Sequence, residues 1–283
     1  MRASHDQLAQ TLGRPVLVMA HGVGATADTG LHQFAEMLCA SGVDVLAFDY
    51  RGFGRSGGHP RQSVSMRDQI EDYHAAVTAA RQLPGVDEFR VALWGVSLAG
   101  GHVLSVAAQR PDISAVIALT PLVDGWAAAV LALRHRTVSS VARCTLAGVK
   151  SRISTAQGGQ PVTFPIVAPP GHDAAINLGD AYERYVSLAG PSWCNQIDAA
   201  IGFELLRYRP THLASRIRCP VLVQIGDRDR SAPPQASARA AAKAAAEVRK
   251  YDSDHFDVWP GGTHFDEVMI DQQSFLTELF ASR

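Results

Sequence analysis

The chain has 283 residues, 47% hydrophobic and 19% charged, which supplies enough apolar side chains for a sizeable core and too few charges for a disordered chain. Its 26 Lys and Arg residues against 27 Asp and Glu leave a formal net charge of -1, so no global basic field exists for nucleic acid or an anionic membrane, and neither partner is expected. Cys39, Cys144, Cys194 and Cys219 are scattered without a C-x-x-C pair, which fits buried free thiols rather than a zinc site or a disulfide framework.

Residues 1–7 lack the apolar run of a secretory signal, and no later apolar run reaches membrane-spanning length, so a cytoplasmic protein without a membrane span is expected. Apolar or β-branched runs at 15–20, 43–49, 89–94, 115–120 and 220–226, with a weaker one at 248–251, alternate with segments of helical period. That alternation predicts an α/β fold: strands joined by right-handed helical crossovers into a mostly parallel sheet flanked by helices on both faces.

Met66, Ile70, Tyr73 and Val77 recur at helical spacing, as do Val268, Phe275 and Leu279, and both stripes read as core rather than cofactor boxes. The alternation breaks between about 125 and 211. There, 126–149 reads as helix, 158–171 is rich in Gly and Pro, and further helical stretches are expected at 174–188 and 196–206. An excursion entered after one strand and left before the next predicts a helical cap of residues 125–211, inserted into an α/β core made of 1–124 and 212–283. Residues 236–246 read as an Ala-rich helix.

Gly95-Val96-Ser97-Leu98-Ala99-Gly100-Gly101 follows the predicted strand 89–94 and opens a helical stretch. A serine in a sharp strand-to-helix turn needs small neighbours because the two backbones nearly touch, and Gly95, Ala99 and Gly100 supply them. Serine is a weak nucleophile at its own pKa, so Ser97 needs a base within hydrogen-bond reach and donors for an oxyanion. The Leu98 backbone N–H at the helix start is one candidate donor. Val23, in His21-Gly22-Val23-Gly24 after the first strand, is the second, with His21 shaping the loop rather than acting as base.

For the acid, Gly226-Asp227-Arg228-Asp229 ends the strand 220–226. Asp229 is favoured because a tight turn from Gly226 aims it back at the sheet edge, while Asp227 braces the turn; Asp124, after the strand 115–120, is a minority alternative. Two His-Phe-Asp copies compete for the base. His255, a few residues beyond the last strand, is favoured over His264, which abuts the terminal helix.

These pieces, with Asp49-Tyr50-Arg51-Gly52-Phe53-Gly54-Arg55-Ser56-Gly57-Gly58, come in the order Ser, Asp, His, and the chain resembles the α/β-hydrolase superfamily over nearly its whole length. Within it, Trp94-Gly95-Val96-Ser97 and Asp254-His255-Phe256-Asp257 look like the bacterial esterase-like group related to dienelactone hydrolases and lysophospholipases. The resemblance implies a serine hydrolase with Ser97 as nucleophile, His255 as base and Asp229 as its orienting acid. It would act on a small-molecule carboxylic ester or thioester through an acyl-enzyme, without metal or organic cofactor. An acyltransferase using the same triad and a catalytically silent binding protein are the alternatives.

One departure stands out. The superfamily usually begins with an antiparallel strand pair, yet only 14 residues precede Pro15. Either the sheet lacks an edge, or the start is shortened or rebuilt as a helix over 3–12, which leaves stability and the formation of a homodimer open.

Two other classes fit poorly. Gly52 to Gly57 matches G-x-G-x-x-G, but Gly58-His59-Pro60 interrupts before any helix can point its N-terminus at a pyrophosphate. The 11 histidines include no H-E-x-x-H or similarly spaced metal cluster. Trp126, at the start of the cap, is read as packing within it, with contact to substrate as the minor reading.

Overall fold

The computed structural model describes residues 1–134 and 136–281; His135, inside the predicted helix 126–149, and residues 282–283 lie outside the described residues. The core elements run β1 (Arg14–Ala20), α1 (Leu31–Cys39), β2 (Asp44–Ala47), α2 (Met66–Arg81), β3 (Val86–Val96), α3 (Leu98–Ala107) and β4 (Ala115–Leu119). An insertion follows with α4 (Gly125–Leu133), α5 (Val138–Ala156), β5 (Thr163–Phe164), α6 (Ala181–Leu188), β6 (Ile197–Asp198) and α7 (Ile201–Arg207). The core then resumes with β7 (Val221–Gly226), α8 (Pro234–Lys243), β8 (Glu247–Tyr251) and α9 (Phe265–Ala281).

The six core strands form one sheet in the order β2-β1-β3-β4-β7-β8 with every neighbouring pair parallel, and within the insertion β5 pairs with β6 antiparallel. β1, β4 and β7 are buried almost throughout, as expected for strands covered on both faces. On one face α1 packs with α9, and on the other α2 packs against α3. The chain runs outward from β1 to β2 and then returns past β1 to β3, so the strand order reverses between β1 and β3. In open parallel sheets the crevice beyond the strand ends at such a reversal is where ligands bind, and the loops carrying Val23 and Ser97 leave the sheet there.

No antiparallel pair precedes β1 among the described residues. The predicted helix over 3–12 is absent as well: this stretch is turns with one bridge between Gln10 and Gly13. It serves another purpose. Met1 and Val45 exchange backbone hydrogen bonds of 2.6 and 2.9 Å, and the Ala3 N–H donates to Asp44 Oδ1 at 2.7 Å, so the first residues partly cover the β2 edge.

The sheet is tied to α9 by a chain of buried amides and hydroxyls. Trp94 Nε1 donates to Gln272 Oε1 at 2.9 Å, Gln272 Nε2 donates to Gln224 Oε1 at 2.7 Å, and Gln224 Nε2 donates to the Tyr251 hydroxyl at 2.6 Å. Each group is satisfied, so the network fixes how α9 sits on the central strands instead of costing unpaired polar burial.

The insertion departs from its predicted outline for local reasons. The helix expected over 126–149 is two helices, because Thr137 ends the first excursion and caps α5 by accepting from the Ser140 N–H at 3.2 Å. The stretch 174–188 is helical only from Ala181, after Gly179 turns with φ 53°. The stretch 196–206 begins as strand β6 because Asp198 is held by the Ser151 hydroxyl at 2.6 Å and the Ser63 hydroxyl at 3.0 Å. Trp126 is 55% exposed, so it packs only in part. Only Cys39 of the four free cysteines is buried; Cys194 is exposed.

Gly125 joins the core to the insertion where α4 meets the backbone of α7. Its N–H donates to the Tyr208 carbonyl at 2.9 Å, and a Cβ there would overlap the Leu205 carbonyl. Gly125→Ala is therefore expected to cost about 1–3 kcal/mol through the backbone shift it forces. Thermal melts by circular dichroism check this, and an unchanged Tm would mean that the insertion is not seated so tightly.

Candidate functional site

Ser97 sits between β3 and α3 with φ 58° and ψ -119°, a left-handed conformation costly for a residue with a Cβ. Its backbone is held there on both sides: the Ser97 N–H donates to the Leu119 carbonyl at 2.9 Å, and its own carbonyl accepts from the Leu122 N–H at 2.8 Å. Gly95 is required by contact, since a Cβ there would overlap the Ala99 carbonyl at the crossing of strand and helix.

The loop after β1 runs beside this turn. A Cβ on Gly22 would stand 3.0 Å from Ser97 Cβ and 3.5 Å from its Oγ, so the next residue, Val23, is within the same small space. The Leu98 N–H belongs to the first turn of α3, whose amides have no intrahelical partner. The His21 side chain points inward, with Nδ1 donating to the Gly22 carbonyl at 3.0 Å and its ring edge-on to Tyr50. Burial, only partly offset by that bond and by Asp49 and Asp28, pushes His21 down to about 4, so it is neutral at pH 7. His102 on α3, bonded to Gln69 and the Tyr208 hydroxyl, is pushed down by burial to about 3.

Asp229 and His255 meet in the loops after β7 and β8. His255 Nδ1 lies 2.7 Å from Asp229 Oδ2, with both side chains buried. The other carboxylate oxygen accepts from the N–H groups of Ser231 and Ala232, each at 2.7 Å, which fixes its orientation and favours its charge. With Nδ1 donating to the carboxylate, the neutral ring presents Nε2 as an acceptor. Burial disfavours the imidazolium, yet the charge and hydrogen bond of Asp229, with the charge of Asp254, outweigh it and raise the His255 pKa above its ordinary value.

The other candidates have different partners. Asp227 faces outward with Lys250 Nζ 3.4 Å away. Asp124 caps α4 by accepting from the Ala127 N–H at 3.0 Å. His264 stands at the start of α9, 3.1 Å from the Glu267 carboxylate.

Above Ser97 lies a cavity of about 380 Å³. Val23, Ser97, Arg230 and Ser231 line it from the core, while α4, α5 and α7 of the insertion contribute walls that include Leu133, Val141 and Phe203. The walls are mostly aliphatic or aromatic. Trp126 is not among the lining residues. The glycine pattern at 52–57 is elsewhere, in a loop tied down by Asp49, and the helix after it opens only at Met66. Among the described residues no three His, Cys, Asp or Glu side chains cluster to hold a metal ion. No helix among them is long and apolar enough to cross a membrane.

Two sets of contacts around the site escape sequence reasoning. The insertion grips the loop after β1: the Tyr185 hydroxyl donates to the Val23 carbonyl at 2.7 Å, and Trp193 Nε1 donates to the Gly24 carbonyl at 3.2 Å. These bonds join residues more than 160 apart, and no spacing rule announces them. The second set was more accessible, because each member adjoins a predicted residue. Arg230 Nε donates to Asp254 Oδ2 at 2.7 Å, and Asp254 Oδ1 accepts the backbone N–H groups of Arg230 and His255 at 3.0 and 2.8 Å. This ion pair clasps the acid loop to the base loop.

A parallel sheet with helices on both faces, a strained serine between β3 and α3, and a buried Asp–His pair beyond the ends of β7 and β8 describe the hydrolase class of α/β folds. The chain belongs to the Hydrolase_4 family, serine aminopeptidase S33, which it matches over residues 13–265. It is 38% identical over 268 residues to the quorum-quenching protein AidA of Acinetobacter baumannii, covering 94% of this chain and 86% of that one. It is 32% identical over 236 residues to the thiohydrolase aneE of Aspergillus aculeatus, covering 78% and 71%. Among solved structures, the α/β hydrolase GrgF from Penicillium sp. superposes with a TM-score of 0.78 at 25% identity, over 97% of this chain and 93% of that one.

Proposed function

We propose that this chain cleaves a carboxylic ester or thioester with an apolar acyl part, through an acyl-enzyme on Ser97. The observation that carries the reading is a strained serine at one wall of a mostly apolar cavity, with a buried imidazole already oriented by a carboxylate. Ser97 Oγ attacks the carbonyl carbon and its proton passes to His255 Nε2, while the Val23 and Leu98 N–H groups donate to the oxyanion. Collapse breaks the ester or thioester bond, and the leaving alcohol or thiol takes the proton from His255. Water then attacks the acyl carbon with His255 again as base, releasing the acid and restoring the Ser97 hydroxyl. Residues 125–211 act as the cap that keeps the acyl part out of bulk water.

The family match and a relative named as a thiohydrolase support hydrolytic chemistry for this reading. A relative from Penicillium sp., 31% identical over 175 residues, is named as the polyketide transferase grgF, which favours a second reading in which an alcohol or thiol replaces water. Turnover of p-nitrophenyl esters of increasing chain length, with and without an added alcohol or thiol, separates the two. Rates are expected to rise with acyl length until the cavity is filled and to release free acid. Transfer to the added nucleophile in preference to water would establish the second reading, and failure of a fluorophosphonate probe to label Ser97 would remove both.

A further inference from the structure

The outer faces of α4 and α5 are apolar. Trp126, Val130 and Leu133 are exposed along α4 at positions i, i+4 and i+7, and Val138, Leu146, Val149 and Ile153 are exposed along α5 within one stripe of its surface. Seven of the 16 exposed large apolar side chains among the described residues stand on these two helices, and no other helix carries more than one. Surface apolar residues scattered singly mean nothing, but an apolar stripe along a helix, here on each of two helices that both pack against α7, needs an occupant.

Charge identifies it. Residues 125–172 contain Arg134, Arg136, Arg143, Lys150 and Arg152 and no Asp or Glu, in a chain whose net charge is -1. Asp173 and Glu204 pair with Arg143 and Arg152 at 2.6 and 2.8 Å, and Arg136 donates to the Ala175 carbonyl at 3.2 Å, so a positive excess remains. On α5, Arg143 and Lys150 border one side of the apolar stripe and Arg152 the other, the arrangement of a helix that lies in a lipid interface. A second copy is a poorer match, since a twofold contact would set the same basic residues against one another.

We propose that the outer face of α4 and α5 docks on an anionic lipid surface. Trp126, Leu146 and Ile153 would enter the headgroup boundary while Arg134 and Lys150 meet lipid phosphates. Leu133 is both exposed on this face and part of the cavity lining, so docking sets the cavity rim against the acyl chains. The overall charge balance conceals this, because the compensating acidic residues lie outside 125–172. The docking does not depend on the chemistry assigned to Ser97.

Sedimentation of the full chain with phosphatidylcholine vesicles, with and without phosphatidylglycerol, tests it. Wild type and Ser97→Ala are expected to bind the anionic vesicles equally and to bind less at high salt. Leu146→Glu with Ile153→Glu is expected to weaken binding about tenfold or more, and Lys150→Glu about fivefold, with unchanged thermal melts. No binding of wild type to anionic vesicles, or equal binding by the double variant, overturns the proposal. So does a wild-type dimer that the double variant dissolves without any vesicle binding, which would assign the face to a second copy.

Discussion

Ser97→Ala is expected to lose labelling by a fluorophosphonate probe and to lower ester turnover by on the order of 10⁶-fold, as removal of an acyl-accepting hydroxyl does when base and oxyanion donors remain. The fold should survive, because the turn is held by backbone bonds to Leu119 and Leu122 that alanine keeps. Ser97→Gly makes the sharper comparison. With φ at 58°, glycine relieves strain that serine and alanine both carry, on the order of 1–3 kcal/mol. It should therefore melt higher than wild type while being as inactive as alanine. A gain in stability together with loss of turnover would show that the strain is maintained for the reaction. Turnover in Ser97→Ala within tenfold of wild type would remove Ser97 from the chemistry altogether.

The sheet was legible because its strands are buried on both faces, which makes them continuous apolar runs. β1, β4 and β7 fall within a residue of their expected bounds, and β3 extends further because its start at Val86 pairs with Arg14. α1 escaped notice although Leu31, Phe34, Ala35 and Leu38 recur at helical spacing. Its first residue follows Gly30 in a left-handed turn without a side-chain cap, so no polar signal marks its start. The insertion was the least legible part. Its helices begin and end through contacts such as Ser151 with Asp198 and Gly125 with Leu205, which depend on tertiary neighbours.

The site divides along the same line. Ser97, Asp229 and Val23 are marked locally by glycines and strand ends, and the Asp229–His255 contact follows from their loops leaving adjacent strands of the sheet. The choice between two identical His-Phe-Asp tripeptides rests on position relative to β8, and the neighbours differ accordingly: His255 meets Asp229, while His264 meets Glu267 near solvent. What spacing could not supply is the insertion's hold on the Val23 loop. Tyr185 and Trp193 are unremarkable in sequence and gain their role only when α6 and the segment after it fold onto the loop after β1.

Asp229→Asn is expected to lower kcat/KM at neutral pH by about 10⁴-fold, because an amide no longer imposes the tautomer that leaves Nε2 free to accept a proton. The pH profile carries the more specific test. As the proposed base, His255 must be neutral to act, and its pKa lies above the ordinary histidine value of 6.5, so activity should fall as pH drops through a point above 6.5. Without the Asp229 charge, burial acts with less opposition and that limb should move to lower pH. Asp254→Asn should move it in the same direction by less, since Asp254 acts on the ring through its charge alone and also holds Arg230. Stability follows the same sign: the contribution of a raised pKa is fully present below the unfolded value and is lost as pH rises through the folded one. The wild type should thus exceed Asp229→Asn most at acidic pH, with the gap narrowing as the medium becomes alkaline. His264→Ala should leave rate and profile near wild type. An acid limb that stays in place in Asp229→Asn, or that moves in His264→Ala, would transfer the role of base away from His255.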